Sequence, residues 1–485
     1  MNSFDYLFQN SSQLEKPFLV GKEDVSFKEL YNSSLSLASW LRNEIGSNKH
    51  VLLLSHNNLF FLKTYLAILK SGNICIPLDP AIEEENFRFI VGLTEPALVF
   101  LTKDLTRKLP VESLNCVFPD TMESYAAEIP LLKVENDFDR ELCAEIIFTS
   151  GSTGKPKGVM ISHKNLVANT ASIIQYLELG PDDRMLVVLP FYYCYGLSLL
   201  HTHLRVGGSV VLNNSFIFLG TIFNNLIDYK CTGFAGVPSH FQIILRKSET
   251  FQKTHFPDLR YVTQAGGKLA TVFIDEFRAS QPMVKFFVMY GQTEATARLS
   301  YLPPDLYEMK KGSMGKGIPG VELKVVNEKG ENVLPGETGE VIARGENIMM
   351  GYFADEEGTR NAIRNGWLYT GDLGTVDNDD YIFLTARSKE IIKVRGKRIS
   401  PKEIEAVILE IPDVIDCTIE GIEDEIEGEK LKAIVQVRKE QIIPVTRELI
   451  IEHCSKHLAM YKIPQVYEIK TDMTISATGK KIKKV

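Results

Sequence analysis

The chain has 485 residues, more than one hydrophobic core accommodates, so two or more domains are expected. Apolar content of 44% and charged content of 24% are ordinary for a soluble globular protein, and a net charge of −8 excludes a general nucleic-acid binder. The seven cysteines, Cys75, Cys116, Cys143, Cys194, Cys231, Cys417 and Cys454, are odd in number and far apart, which points to reduced thiols in the cytoplasm and not to a disulfide frame or a Cys-x-x-Cys metal site.

In chain order, the stretch MNSFDYLFQNSSQ lacks a basic segment followed by an apolar one, so no signal peptide is expected. The most apolar region, Val51 to Pro80, is interrupted by His56, Asn57, Asn58, Lys63 and Lys70 and does not suit a membrane span. It reads as strand, helix, strand: VLLLS, NNLFFLKTYLAILKSG, NICIPLDP, a βαβ unit of an α/β domain. A further strand is expected near Ala97–Leu101.

The apolar run Ile146-Ile147-Phe148 then enters TSGSTGKPKG, Thr149 to Gly158, with three glycines, four hydroxyl side chains and two lysines in ten residues. Glycines permit close backbone approach, N–H groups and hydroxyls donate, and Lys155 or Lys157 supplies a point charge, so the loop suits a polyphosphate. It is not a Walker A loop, because Thr149 and Pro156 stand where that motif needs Gly and Ser or Thr. Read alone, the same residues also suit a solvated turn.

Ser162 is expected to cap a helix with apolar residues at Leu166, Val167, Ile173, Ile174 and Leu177. A strand near Met185–Leu189 follows. His201 and His203 point apart on a helix and have no third ligand near them in sequence, so no metal is expected there. The strand VKFFVM leads into Tyr290-Gly291-Gln292-Thr293-Glu294, whose ring, hydroxyl and carboxylate suit a base, a phosphate and Mg²⁺. After Gly312, Gly and Pro punctuate short strands, which indicates a β-rich layer. Asp372 stands between glycines in Thr370–Gly374, as an acceptor for ribose hydroxyls would. Both short motifs, taken singly, are also common in ordinary loops.

The texture breaks again near Arg387. Arg387, Lys389, Lys393, Arg395, Lys397 and Arg398 cluster around Gly396, a run that suits an anionic ligand at a domain junction or else a solvated face. Ser400, Pro401 and Glu403 are expected to form the N-cap, N1 and N3 of a capping box opening an amphipathic helix through Ile411. Strands at Val414–Ile419 and Leu431–Val437 and a helix at Arg447–Leu458 complete a small α+β unit. Lys480 follows Thr478-Gly479 in a basic tail.

Taken as a series, TSGSTGKPKG, PFYYCYG at Pro190, QAGGKL at Gln264, YGQTE, TGDLG, RSKEIIKVRGKRISPKEIE and TGKK resemble the adenylate-forming superfamily of acyl- and aryl-CoA synthetases, nonribosomal adenylation domains and beetle luciferases. The resemblance covers the chain from about residue 25 onward. It implies an α/β fold with a large N-terminal domain, residues 1–386, of two α/β sheets plus a β-barrel. A small mobile α+β domain, residues 387–485, would follow from a hinge at Lys389. By the same resemblance Thr149, Ser150, Gly151, Ser152, Thr153 and Gly154, with Lys157, would hold phosphates. Ala265, Gly266, Gly267 and Tyr290, followed by Gly291 and Gln292, would hold adenine. Thr293 would touch the α-phosphate, Glu294 Mg²⁺, and Asp372 and Arg387 the ribose. Lys480 would be the catalytic lysine, with Lys393 a second phosphate contact and Gly396 lining a thiol channel.

The implied reaction is ATP- and Mg²⁺-dependent activation of a carboxylate to an acyl-adenylate, followed by transfer to a thiol. Tyr193, Val237, Pro238 and Gly266 would line the acyl pocket. No acid occurs in Tyr192–Tyr195 to pair with an ammonium, which disfavours α-amino acids. The short span from Tyr290 to Gly371 favours CoA as acceptor over the phosphopantetheine of a carrier protein. A luciferase-type oxygenase and a non-catalytic nucleotide-binding protein are the other readings. Ala386 and Asp380 stand where the family has Gly, and Ala265 where it often does; none of these removes a charged group. Asp380 tolerates a turn.

Overall fold

The computed structural model describes residues 1–22, 24–122, 130–135, 137–149, 155–216, 218–387, 390–394, 397–424 and 428–471. Ser150–Gly154, Lys389, Gly396 and Lys480 lie outside the described residues.

Two large sheets form the first part of the chain. One has seven strands in the order Gly351–Tyr352, Lys157–Ser162, Cys143–Thr149, Ile74–Leu78, His50–Leu54, Leu98–Leu101 and Cys116–Val117. The expected βαβ unit is its centre: His50–Leu54 and Ile74–Leu78 pair in parallel, joined by the helix Leu59–Ser71. Ile74–Leu78 is buried along its whole length, the burial expected of a parallel strand covered on both faces. Asn58 caps the helix by accepting from the Phe61 amide at 2.9 Å.

The other sheet has nine strands in the order Lys316–Gly317, Ser300–Leu302, Lys285–Tyr290, Tyr261–Gln264, Gly233–Gly236, Arg184–Val187, Ser209–Leu212, Pro17–Val20 and Val25–Ser26. The six from Lys285–Tyr290 to Pro17–Val20 are parallel. Helices His163–Leu177 and Cys194–Val206 pack on one another and on the N-terminal helix Ser3–Phe8. Ser162 caps the first of them in a capping box with Asn165. The N-terminal helix is tied to the core by polar groups. Asp5 forms a buried ion pair with Lys70 at 2.8 Å, and Ser3 Oγ lies 2.8 Å from His163 Nδ1.

The sheets are tied together by polar groups as well as by the apolar core. Tyr65 donates to Glu145 at 2.8 Å and meets His201 Nε2 at 2.8 Å. Glu145 lies on the seven-stranded sheet and His201 on the helix Cys194–Val206, so all three buried groups satisfy one another across the junction. His201 is therefore a core histidine; burial lowers its pKa to about 3 and keeps it neutral.

The β-rich layer after Gly312 includes a five-stranded antiparallel sheet of Val321–Val326, Gly339–Gly345, Trp367–Val376, Ile363–Arg364 and Ile382–Arg387. Asp380 takes the left-handed conformation in its last hairpin, with φ 63°. A fourth sheet joins Lys397–Ile399, Ile392–Val394, Gly428–Val437, Val414–Asp424 and Val466–Lys470, and the helices Pro401–Ile408 and Arg447–His457 complete this smaller α+β part. The capping box expected at Ser400 does not form: no side-chain cap bond is made, the Glu403 amide bonds the Ser400 carbonyl at 3.3 Å, and the Ser400 hydroxyl is turned to donate to the Thr385 carbonyl at 2.6 Å. Glu403 pairs with Lys462. Among the described residues no helix is long and apolar enough to cross a membrane.

Candidate functional site

Four neighbouring parallel strands of the nine-stranded sheet, Arg184–Val187, Gly233–Gly236, Tyr261–Gln264 and Lys285–Tyr290, end on the same edge. Their carboxyl ends release the segments that contain Tyr193, Val237-Pro238, Ala265-Gly266-Gly267 and Gly291–Glu294. Ligands of open α/β sheets bind in the crevice beyond such strand ends. The topology thus gathers four motifs that are up to a hundred residues apart in sequence.

Local contacts join these segments. Gly266 has φ +82°, and a Cβ there would lie 3.1 Å from Val237 Cγ1; one on Gly267 would lie 3.2 Å from Pro238. Small residues keep this wall thin and leave backbone groups open to a flat ligand. Cys194, the first residue of the helix after Tyr193, places its Sγ 3.5 Å from the Thr293 hydroxyl. A Cβ on Gly291 would come within 1.9 Å of the Ala297 carbonyl, so the turn after Tyr290 closes only with glycine.

Asp372 and Arg387 come from the five-stranded sheet, where they are register partners. Asp372 is 5% exposed and accepts from Tyr290 Oη at 2.6 Å through one oxygen and from Arg387 Nε at 3.0 Å through the other. Burial, and then the charge of Asp372, push the Tyr290 phenol well above its ordinary pKa, so it stays a donor. This contact spans two sheets and brings the fifth motif to the fourth.

Glu294 is half-buried and accepts from the Tyr352 hydroxyl at 2.9 Å. Tyr352 lies on the edge strand of the seven-stranded sheet, paired with Lys157–Ser162. Thr149 and Lys157 are register partners, so the hairpin end that launches the hydroxyl-rich loop reaches this point. Lys157 itself is engaged: its Nζ lies 2.8 Å from Asp355 and 4.8 Å from the Tyr352 ring centroid. A carboxylate and a hydroxyl, Glu294 and Thr293, are oxygen donors of the kind a hard divalent cation takes, and Mg²⁺ needs few protein ligands. Their side chains fit that ion.

Tyr193, in the segment that follows the strand Arg184–Val187, packs beside Tyr192, with ring centroids 4.9 Å apart. Burial, and then the charge of Asp79, raise its phenol to about 12. Lys393 is exposed on the fourth sheet, where its amide donates to Glu429 at 2.7 Å. Among the described residues no hydrogen bond or ion pair joins it to the crevice.

Several positioning residues carry no sequence signal. Asn57 donates to the Leu189 carbonyl at 2.9 Å and accepts from the Phe191 amide at 2.8 Å, holding the segment before Tyr193 from the other sheet. Asn347 donates to the Arg298 carbonyl at 2.7 Å, and the Met349 amide to the Glu294 carbonyl at 2.9 Å, strapping the Tyr290–Arg298 loop.

Residues 8–353 match the family model of the AMP-binding enzymes, and residues 403–480 match that of the AMP-binding enzyme C-terminal domain. The chain is 30% identical to an oxalate–CoA ligase of Arabidopsis thaliana over 95% of its own length and 92% of that protein's. It is 35% identical to a 4-coumarate–CoA ligase of Nicotiana tabacum over 99% and 92%. The solved o-succinylbenzoate CoA synthetase of Bacillus subtilis, in complex with ATP and a magnesium ion, superposes with a TM-score of 0.86 at 25% identity, over 99% of this chain and 98% of that one.

Proposed function

Since the chain belongs to the AMP-binding enzyme family, we propose that the crevice activates a carboxylic acid with ATP and passes the acyl group to coenzyme A. It is an AMP-forming acid–thiol ligase. A carboxylate oxygen attacks the α-phosphorus, the bond to the β-phosphate oxygen breaks, and pyrophosphate leaves. The CoA thiolate then attacks the acyl carbon, and AMP departs as the thioester forms.

The convergence of Tyr290, Asp372, Thr293 and Glu294 at one crevice supports this reading most. In it, Ala265, Gly266 and Gly267 face adenine together with the Tyr290 ring and the Gly291-Gln292 backbone. Asp372 and Arg387 take the ribose, and Thr293 the α-phosphate. Glu294 holds Mg²⁺, which when bound offsets phosphate charge and orients the leaving group. Thr149 and the loop Ser150–Gly154 receive the pyrophosphate. Lys480 is the catalytic lysine of adenylation and Lys393 a second phosphate contact. Lys389 is the hinge between units 1–386 and 387–485, and Gly396 lines the thiol path. Tyr193, Val237, Pro238 and Gly266 form the acyl pocket.

The acceptor is CoA, as the names of the relatives support; loading of a carrier protein is the second reading, and the same phosphopantetheine thiol serves both. We place the enzyme in the cytoplasm, consistent with seven free cysteines. Pyrophosphate release with a panel of carboxylates tests catalysis, and thioester formation on adding CoA or a holo-carrier protein tests the acceptor. No release with any carboxylate overturns the ligase reading. Thioester on the carrier alone overturns CoA.

A further inference from the structure

Arg298 is 2% exposed, yet among the described residues no carboxylate pairs with it. Its Nε has no hydrogen-bond partner, NH1 donates to the adjacent Ala297 carbonyl at 3.3 Å, and the remaining polar neighbour is the neutral Tyr176 hydroxyl. The guanidinium instead lies over the Tyr195 ring, 4.0 Å from its centroid. Burial raises the phenols of Tyr195 and Tyr176 above their ordinary values, so neither supplies a counter-charge. A buried cation without a counter-ion is costly, and a folded protein tolerates one where a ligand completes it.

Its location says which ligand. The Arg298 Cα lies 2.9 Å from where a Gly291 Cβ would stand, beneath the Tyr290–Glu294 loop. Tyr195 belongs to the same segment as Tyr193, and its hydroxyl bonds Thr263, just before Ala265, at 2.9 Å. The arginine is therefore boxed in by three of the segments that build the crevice, against the Tyr195 ring. The other buried cation of a strand-end segment's helix, Arg246, does have an acidic partner, Glu276 at 2.6 Å. A planar guanidinium whose Nε is unpaired and whose other neighbours are neutral matches a carboxylate in two-point geometry.

We propose that Arg298 determines acyl specificity and that the substrate is a carboxylic acid with a second carboxylate on its tail. This rests on the acid–CoA ligase reading. One carboxylate reacts at the α-phosphorus; the other seats on Arg298 and neutralises it. The cation–π contact with Tyr195 holds the guanidinium ready in the free enzyme.

The test is pyrophosphate release by the full chain with matched pairs: hexanoate against adipate, octanoate against suberate, and benzoate against terephthalate. The wild type is expected to favour the diacid of at least one pair by about a hundredfold in kcat/KM. Arg298→Met should remove that preference, and Arg298→Lys should retain part of it. The ratio within one preparation is independent of how much enzyme is folded, so a purely structural arginine would leave it unchanged. Preference for the monoacid in every pair, or a ratio unaltered in Arg298→Met, overturns the proposal and leaves the ligase reading standing. No release with any acid overturns both.

Discussion

Tyr290 and Asp372, from different sheets, share a hydrogen bond of 2.6 Å that joins the five-stranded sheet to the strand-end crevice. The other Asp372 oxygen is held by Arg387, so the carboxylate is fixed in position before any ligand arrives. Such preorganisation removes an ordering cost from binding.

Asp372→Ala removes the acceptor and leaves Tyr290 and Arg387 without their shared partner. A hydrogen bond to a charged group contributes about 1.5–3 kcal/mol. The expected outcome is a rise of roughly ten- to a hundredfold in KM for ATP, with kcat less affected, measured by steady-state pyrophosphate release. An unchanged KM would remove Asp372 from the nucleotide site.

Much of this was readable in the sequence because the chemistry is concentrated in short, glycine-bounded segments at strand ends. The run VKFFVM followed by YGQTE announces both a buried strand and what lies at its tip. Contacts across sheets leave no such trace. Asn57 reads only as an interruption of an apolar run, yet it holds the Leu189–Phe191 segment. Tyr352 belongs to none of the sequence motifs, but edge pairing with Lys157–Ser162 delivers it to Glu294. The pattern at Ser400 predicts a local capping bond, and a tertiary partner, the Thr385 carbonyl, takes the hydroxyl instead. Local rules name the groups; register and topology decide their partners.

Gly291→Ala forces a Cβ to within 1.9 Å of the Ala297 carbonyl. The loop must move, and overpacking of this kind costs about 1–3 kcal/mol. Urea unfolding should show that loss, accompanied by at least a tenfold fall in kcat/KM for ATP. Gly220→Ala, on a helix where a Cβ meets nothing within 4 Å, is the control and should show neither loss. Equal behaviour of the two variants would mean that the turn adapts.

Glu145 makes stability depend on pH. Burial raises its pKa from 4.5 to about 7, with the Tyr65 hydrogen bond opposing. The fold binds a proton that the unfolded chain releases, so this contribution is complete below about 4.5 and is lost as pH rises through about 7. The difference is about 3 kcal/mol across that window. Buried His163, His201 and His240, each lowered to about 3 by burial, act oppositely below their ordinary value. Glu145→Gln isolates the carboxyl: relative to the variant, wild-type Tm should fall between pH 5 and pH 8. Parallel Tm profiles would show that Glu145 does not change protonation on unfolding.

Tyr352→Phe removes the donor to Glu294 while keeping the ring beside Lys157. The carboxylate loses its fixed orientation, and Mg²⁺ binding should weaken by roughly tenfold. A magnesium titration of the initial rate reads this directly. An unchanged half-saturation point would mean that Glu294 is oriented by other groups.

As the proposed catalytic lysine, Lys480 is expected to separate the two half-reactions. In the proposed function it serves the step in which an anion attacks an anion, where one cationic donor contributes about 3–4 kcal/mol. Lys480→Ala should slow pyrophosphate release by roughly a hundred- to thousandfold. The same variant, supplied with pre-formed acyl-adenylate and CoA, should make thioester at nearly the wild-type rate, because no charge of that kind develops in the second step. Equal loss in both half-reactions would place Lys480 in general nucleotide binding instead of in adenylation.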